Sequence, residues 1–281
     1  MTSNYQDTYD ADYRALEEKQ VEKPKSPPGK WRKFLGPVAT MLLFAATKLK
    51  FIVTILKSIK FLSTGITALL SIGAYAVWFG WQFGVGIVVL IFIHEMGHVI
   101  VLRRYGVKAS APVFIPFLGA FIAMKQLPKD AVMEAVVGLG GPVIGSLGAL
   151  AAWILYQTYD NPIFLAMTYL GVLLNLFNLL PVMPLDGGRA VGAISRWLWV
   201  LGYAALIGLM FLRPSPIVFI ILLIGAPEVW NAIRNRKGAD DYYVVPMSKR
   251  LAVGAVYFGL IAVLGAALYE LEPLLVANRP G

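Results

Sequence analysis

The chain has 281 residues, of which 58% are hydrophobic and 15% charged, with a net charge of +9 and no cysteine. The lack of cysteine excludes a disulfide framework or a thiolate ligand, and the presence of two histidines excludes the histidine-rich di-iron membrane oxidases. Several apolar stretches of about 17–25 residues could cross a hydrocarbon layer of roughly 30 Å, so the sequence predicts a polytopic α-helical membrane protein.

The N-terminal part has a different composition from the rest. Residues 1–30 hold six of the sixteen acidic residues and little apolar surface, which predicts a flexible polar tail. Residues 31–61 include Lys50, Lys57 and Lys60 within about 80° on a helical wheel, which favours an amphipathic segment lying in the membrane interface. A tilted hairpin or a true span over 34–61 is the alternative.

Seven apolar segments follow as candidate transmembrane helices, and the fifth and sixth of them are short. The segments are Leu62–Trp81, Phe83–Leu102, Met133–Gln157, Pro162–Pro181, Trp197–Leu212, Pro216–Trp230 and Leu251–Tyr269. We therefore expect six to seven spans, with a membrane core over 62–230. Residues 231–281 are expected to form a basic cytoplasmic loop and a C-terminal transmembrane helix.

Lysine and arginine fall on alternate connections between these segments, and the opposite connections carry almost none. Because positive charge favours the cytoplasmic side, the N-terminus is predicted to be cytoplasmic. We expect a multi-pass protein of a prokaryotic plasma membrane. The basic loops suit contact with anionic lipid, and no nucleic-acid partner is expected.

The second predicted span contains His94-Glu95-Met-Gly-His98, which holds both histidines of the chain. Residues four apart on a helix lie about 40° apart and about 6 Å along its axis, so the two imidazoles could bind one metal ion. Glu95 could reach a water on that metal, as in zinc metalloproteases. Such groups are costly at membrane depth, which favours function over a structural role.

Residues 109–124 are apolar, but Pro112, Pro116 and Gly119 make them unsuitable for a helix. Their valine, isoleucine and phenylalanine content predicts a small re-entrant β-hairpin or loop, with Pro116 or Gly119 at a bend. Unpaired strand edges cannot face lipid, so this segment must be buried in protein or line a wet cavity. A plain interfacial connector is the alternative.

A catalytic zinc site needs a third protein ligand, which here must be a carboxylate. Asp186 is favoured because Pro184 precedes it and two glycines follow, which permits a sharp turn close to the ion. Glu228 and Glu134 are the remaining candidates. An ordinary loop or cap role is the alternative for Asp186.

Three motifs together resemble the site-2 protease family of intramembrane zinc metalloproteases, in a compact form without a PDZ or CBS domain. They are His94-Glu95-Met-Gly-His98, Asn178-Leu-Leu-Pro181 with Leu185-Asp186-Gly-Gly, and Gly141-Pro142 in the third span. The family often has an asparagine shortly after the Gly-Pro element, and this chain has Gly145-Ser146 there. The resemblance covers about Leu62 to Arg189.

The resemblance implies one Zn²⁺ per chain, held by His94, His98 and Asp186, with Glu95 as the catalytic acid/base. Asn178 would help to position a transmembrane protein substrate. The hairpin, at Phe117, Leu118, Gly119 and Ala120, would offer a strand edge to an unwound substrate.

The expected function is zinc-dependent intramembrane proteolysis of membrane-protein substrates. A prenyl-peptide-type membrane zinc protease, which would use a glutamate such as Glu228 as third ligand, is one alternative. A transporter or adaptor with a structural metal is the other. The oligomeric state cannot be predicted from the sequence.

Overall fold

Helices form most of the computed structural model, which describes residues 64–234 and 241–277; the side chains at 228, 231–234 and 241 lie outside that description. The elements in chain order are α1 (Thr64–Phe79), α2 (Trp81–Arg104), β1 (Val113–Ile115), β2 (Gly119–Phe121), α3 (Ala131–Tyr159), α4 (Pro162–Asn178), α5 (Asp186–Ile194), α6 (Trp197–Leu212), α7 (Pro216–Arg234), a 3-10 turn (Asp241–Tyr243) and α8 (Met247–Ala277). The predictions for 1–30 and 31–61 lie outside the described residues.

Three of these helices, α2, α3 and α8, are long and apolar enough to cross a membrane. At 1.5 Å per residue, the 24 residues of α2 extend about 36 Å. Each of the other four predicted spans contains a shorter apolar helix, namely α1, α4, α6 and the first part of α7. The predicted helical membrane protein with a small β-hairpin is therefore confirmed, whereas six to seven spans stay a prediction.

Local sequence sets the tight connection between α3 and α4. Asp130 caps the start of α3 by accepting a hydrogen bond from the Met133 N–H at 2.7 Å. Asp160 ends α3 in a left-handed conformation, and Asn161 caps α4, whose first residue is Pro162. Because so few residues separate them, α3 and α4 must pack as antiparallel neighbours.

Glycines let the helices of the core approach each other closely. A Cβ atom on Gly97 of α2 would collide with the Gly140 carbonyl of α3, and one on Gly171 of α4 would lie 2.9 Å from Ala149 Cβ. Between helices in lipid, such small residues allow the backbone contact that gives packing energy. Side chains of α3, α4, α5 and α8 then form the largest buried cluster among the described residues.

The predicted hairpin is present, but its strands are short. β1 and β2 are antiparallel, with Phe114 opposite Ala120. The chain turns over residues 116–118, where Phe117 has a φ of 63°, and Gly119 follows with a φ of 93°. The bend is therefore where the prolines and glycine predicted it. Phe117 and Leu118 belong to the turn, so the strand edge begins at Gly119 and not at Phe117.

Helix α1 holds the outer edge of β1. Thr64 Oγ1 donates to the Pro112 carbonyl at 2.8 Å, and the Phe114 N–H donates to Thr67 Oγ1 at 3.3 Å. At the turn, the Phe117 N–H donates to the Tyr75 hydroxyl at 3.1 Å. With β1 covered by α1, the β2 side of the hairpin faces the cavity described below.

Candidate metal centre

Three side chains from two helices bring one ligand atom each to a single point. His94 and His98 lie one turn apart on α2, with their Nε2 atoms 3.3 Å apart. Asp186, the first residue of α5, places its Oδ2 3.0 Å from His94 Nε2 and 3.3 Å from His98 Nε2. These three residues form a group that could hold a metal ion.

Hydrogen bonds on the far side of each ring fix which nitrogen faces the centre. His98 Nδ1 lies 2.8 Å from the Val137 carbonyl, which can only accept, so Nδ1 carries the proton. His94 Nδ1 lies 2.8 Å from Asn175 Oδ1, and Asn175 Nδ2 donates to the Gly171 carbonyl at 2.6 Å. The same logic gives His94 a protonated Nδ1, so in the neutral form of each ring it is Nε2 that turns a lone pair inward.

With both rings neutral, two lone pairs and a carboxylate oxygen converge on one point, a donor set that suits a metal cation. In a tetrahedral zinc site with ligands at about 2.0–2.1 Å, neighbouring ligand atoms lie about 3.3–3.4 Å apart. The observed separations of 3.0, 3.3 and 3.3 Å fit that geometry. Asn175 and the Val137 carbonyl each hold the Nδ1 of one imidazole, as the groups that orient metal-bound histidines do.

Close backbone packing fixes Asp186. Cβ atoms on Gly187 and Gly188 would meet the backbone of the 179–183 segment, Gly188 at 2.5 Å from the Val182 carbonyl carbon. The glycine pair was predicted to bring backbone near the ion. In the structure, the absence of side chains at Gly187 and Gly188 lets α5 pack directly against the backbone of residues 179–183. Trp199 Nε1 adds a hydrogen bond to the Gly188 carbonyl at 2.6 Å.

Glu95 is buried beside the two histidines and lines a cavity of about 360 Å³. The same cavity is lined by the three candidate ligands and, across from them, by β2. It contains enough space for several water molecules and a segment of extended chain. A carboxylate, a candidate metal-binding group and a strand edge therefore line one cavity.

The predicted substrate-binding residues divide into two sets. Asn178, Leu118, Gly119 and Ala120 line the cavity, and Asn178 Nδ2 is held by the Leu174 carbonyl at 3.0 Å. Phe117 instead packs edge-on against Tyr75, with ring centroids 5.2 Å apart. Their roles in binding stay predictions.

Of the two alternative third ligands, Glu134 and Glu228, the structure describes the side chain of Glu134 alone. Glu134 is engaged elsewhere: its Oε2 accepts a hydrogen bond from the Tyr242 hydroxyl at 2.7 Å. Burial and the neighbouring carboxylate raise the pKa of Tyr242, which keeps it a neutral donor. The Glu228 side chain lies outside the described residues.

Several residues of the centre were not assigned by the sequence. Asn175, three residues before the Asn178-Leu-Leu-Pro181 motif, was given no role, although a buried amide in an apolar helix is a signal in itself. A Cβ on Gly141 would lie 2.7 Å from His94 Nε2, and one on Gly145 would collide with Asn175 Oδ1. Gly141 thus leaves room for the ligands, which gives a physical reason for the Gly-Pro element. Arg189 also lines the cavity.

Comparison with known proteins confirms the predicted resemblance. Residues 82–161 match the model of peptidase family M50, the site-2 protease family. This segment includes His94, Glu95 and His98 and ends before Asp186.

Curated relatives give the same result. A zinc metalloprotease of Methanocaldococcus jannaschii is 32% identical over 111 residues, which is 38% of this chain and 32% of that protein. Rip3 of Mycobacterium tuberculosis, named as a candidate zinc metalloprotease, is 31% identical over 140 residues, covering 46% of this chain and 35% of Rip3. Stage IV sporulation protein FB of Bacillus subtilis is 26% identical over 105 residues, 37% of this chain and 36% of that protein. The matches span about a third of the length of these relatives.

Proposed function

We propose that this protein is a zinc-dependent intramembrane endopeptidase that cleaves transmembrane segments of membrane-protein substrates, the reaction of regulated intramembrane proteolysis. One observation carries the proposal. The ligand atoms of His94, His98 and Asp186 converge beside Glu95, in a cavity that the apolar helices α2, α3 and α4 help to line. The M50 match over 82–161 and the zinc metalloprotease names of the relatives support it.

In this proposal one zinc ion per chain is held by His94, His98 and Asp186. When bound, zinc supplies Lewis acidity, which polarises a carbonyl and makes water more acidic. Glu95 takes a proton from a water molecule as the water oxygen bonds to the scissile carbonyl carbon. It then delivers that proton to the amine as the carbon–nitrogen bond breaks, so Glu95 ends in its starting state.

The substrate is proposed to bind along β2 in an extended form. A helix hides its carbonyls in internal hydrogen bonds, so local unwinding must precede cleavage, and pairing with a strand edge compensates for the lost bonds. The Phe114 N–H is turned toward Thr67, so the Phe114–Ala120 pair is not hydrogen-bonded and the Ala120 N–H and C=O point away from β1. Gly119 and Leu118 flank this edge, Phe117 shapes its turn, and Asn178 contacts the substrate from α4.

We also propose six to seven spans over the predicted segments, with the membrane protease core at 62–230. The N-terminus is cytoplasmic and the membrane is a prokaryotic plasma membrane. The alternation of basic connections in the sequence supports this orientation, and places the basic loops against anionic lipid. A C-terminal span over α8 completes the proposed organisation.

A catalysis assay of the full-length chain tests the proposal. The wild type and Glu95→Gln are purified in detergent, assayed for zinc, and mixed with a tagged single-span protein that carries a Gly-Pro pair in its span. The expected result is equal zinc content with cleavage by the wild type alone, because Glu95→Gln removes the proton acceptor and not a ligand. Cleavage by Glu95→Gln at the wild-type rate would overturn the proposed mechanism.

A further inference from the structure

Arg189 lies one turn beyond Asp186 on α5 and lines the same cavity as Glu95. Residues three apart on a helix share a face, so the guanidinium group and the Asp186 carboxylate belong to the same side of α5. Helix α3 holds its stem, since a Cβ on Gly138 would lie 3.1 Å from Arg189 Cβ. The neighbouring Val137 carbonyl holds His98. The cation and a metal ligand are therefore positioned by the same turn of α3.

The guanidinium group has no hydrogen-bond acceptor within 64–234 and 241–277, apart from the side chains at 228, 231–234 and 241 that the structure does not describe. Its Nε is buried and unpartnered, and no carboxylate among the described side chains comes within ion-pair distance. A buried donor without an acceptor is costly, and a guanidinium group carries five N–H donors in a planar fork. Unused donors at the wall of a reaction cavity indicate that the missing acceptor belongs to a bound molecule.

The charged side chains that line the cavity indicate which group of a bound molecule accepts the hydrogen bonds of Arg189. Glu95 and Asp186 together carry two negative charges, which a divalent metal ion balances, and Arg189 then adds one positive charge. This charge is close enough to act on the Glu95 carboxylate. During peptide hydrolysis one negative charge develops on the scissile carbonyl oxygen, and fixed donors aimed at that oxygen are the usual source of electrostatic stabilisation.

We infer that Arg189 donates hydrogen bonds to the carbonyl oxygen of the scissile peptide as its negative charge develops, an inference that rests on the proposed function. Arg189 stays protonated throughout, because its guanidinium group is not deprotonated in proteins. It therefore takes no part in the proton transfers of Glu95. It contributes to the transition state rather than to binding of the uncleaved substrate.

Kinetics of three variants test this assignment in the full-length chain. Arg189→Met keeps an unbranched apolar stem but removes the donors, Arg189→Lys keeps the charge without the planar fork, and Arg189→Ala opens space. Loss of one oxyanion donor lowers kcat by about 10²–10³. We expect a fall of that order in Arg189→Met with KM and zinc content unchanged, and a smaller fall in Arg189→Lys.

Guanidinium chloride at millimolar concentration should restore part of kcat in Arg189→Ala and less in Arg189→Met, whose side chain occupies the space of the arginine stem. Arg103→Met is the matched control, because Arg103 lines a different cleft at the end of α2 and should leave kcat unchanged. A merely structural role would lower zinc content or stability without rescue.

Wild-type kcat in Arg189→Met would overturn the inference, as would a rise in KM alone or a loss of zinc. Failure of the wild type to cleave would overturn the proposed function and this inference with it. The two failures are distinguished by the wild-type lane of the same assay.

Discussion

Asn175 Oδ1 accepts a hydrogen bond from His94 Nδ1 at 2.8 Å and so connects α4 to the candidate metal centre on α2. The amide is almost completely buried, and its Nδ2 is tied to the Gly171 carbonyl one turn earlier. Both ends of the amide are therefore committed, which fixes its orientation. His94 gains a defined tautomer and ring orientation before any metal binds.

Replacing Asn175 by leucine should weaken zinc binding by about 10–100-fold, the usual effect of losing a group that holds the second ring nitrogen of a metal-binding histidine. Asn175→Asp should retain more affinity, since a carboxylate can still accept from His94 Nδ1. Zinc affinity is measured by competition with a chelator. Asn178→Leu, one turn along α4, is the control and should bind zinc as the wild type does. Equal affinity in Asn175→Leu would contradict the orienting role.

The three proposed ligands should be separable from the other carboxylates by metal analysis. His94→Ala, His98→Ala and Asp186→Ala should each lose zinc on purification, because two remaining ligands leave an incomplete site. Glu134→Gln and Glu228→Gln should keep one zinc per chain. Retention in Asp186→Ala together with loss in Glu228→Gln would instead favour the prenyl-peptide-type protease.

Gly141→Ala should disrupt the metal centre although it adds a single methyl group. That methyl would lie 2.7 Å from His94 Nε2 and would also collide with His98, so one ring must leave its position. Zinc content should fall while the helical circular-dichroism signal remains. Gly259→Ala on α8 is the matched control, because nothing lies within 4 Å of its added methyl and alanine favours a helix. Full zinc content in Gly141→Ala would contradict this prediction and would mean that α2 and α3 can move apart to make room for the methyl group.

The parts of the site that follow from short sequence spacing could be predicted. Two histidines four apart on one apolar helix must share a face, whatever packs against them. Asp186 was favoured by elimination among few carboxylates, and prolines with a glycine marked the hairpin turn. Each of these inferences needs only local geometry or a count of candidates.

The remaining contacts depend on how distant helices pack. Asn175 and His94 are 81 residues apart, and their hydrogen bond exists because Gly145 lets α4 approach α3 beside α2. The end of α4 at Asn178 was also missed, since the apolar run continues to Pro181 while the chain turns away from helix three residues earlier. Hydrophobicity marks where a segment is apolar, but not where its helix stops.

The β2 edge gives a prediction about how the substrate is held. Ala120 directs its backbone N–H away from β1, whereas Phe121 lies opposite Val113 in a hydrogen-bonded position. Leu118, another candidate site for proline, uses its N–H for the turn, donating to the Ile115 carbonyl at 3.1 Å. Ala120→Pro is therefore the variant that removes a donor from the free edge alone, while Phe121→Pro would break the hairpin itself.

We expect Ala120→Pro to slow cleavage of a transmembrane substrate about fivefold, since one lost hydrogen bond costs about 1 kcal/mol. Its zinc content and detergent stability should match the wild type, and Ala120→Gly, which keeps the N–H, should cleave normally. Phe121→Pro should lower stability as well as cleavage. Helix-breaking residues in the substrate's own span should raise its cleavage, because less unwinding is then required. A gel-based cleavage assay beside a zinc assay measures all four proteins. Wild-type cleavage by Ala120→Pro, together with indifference to substrate helicity, would leave the hairpin as a connector that carries no substrate.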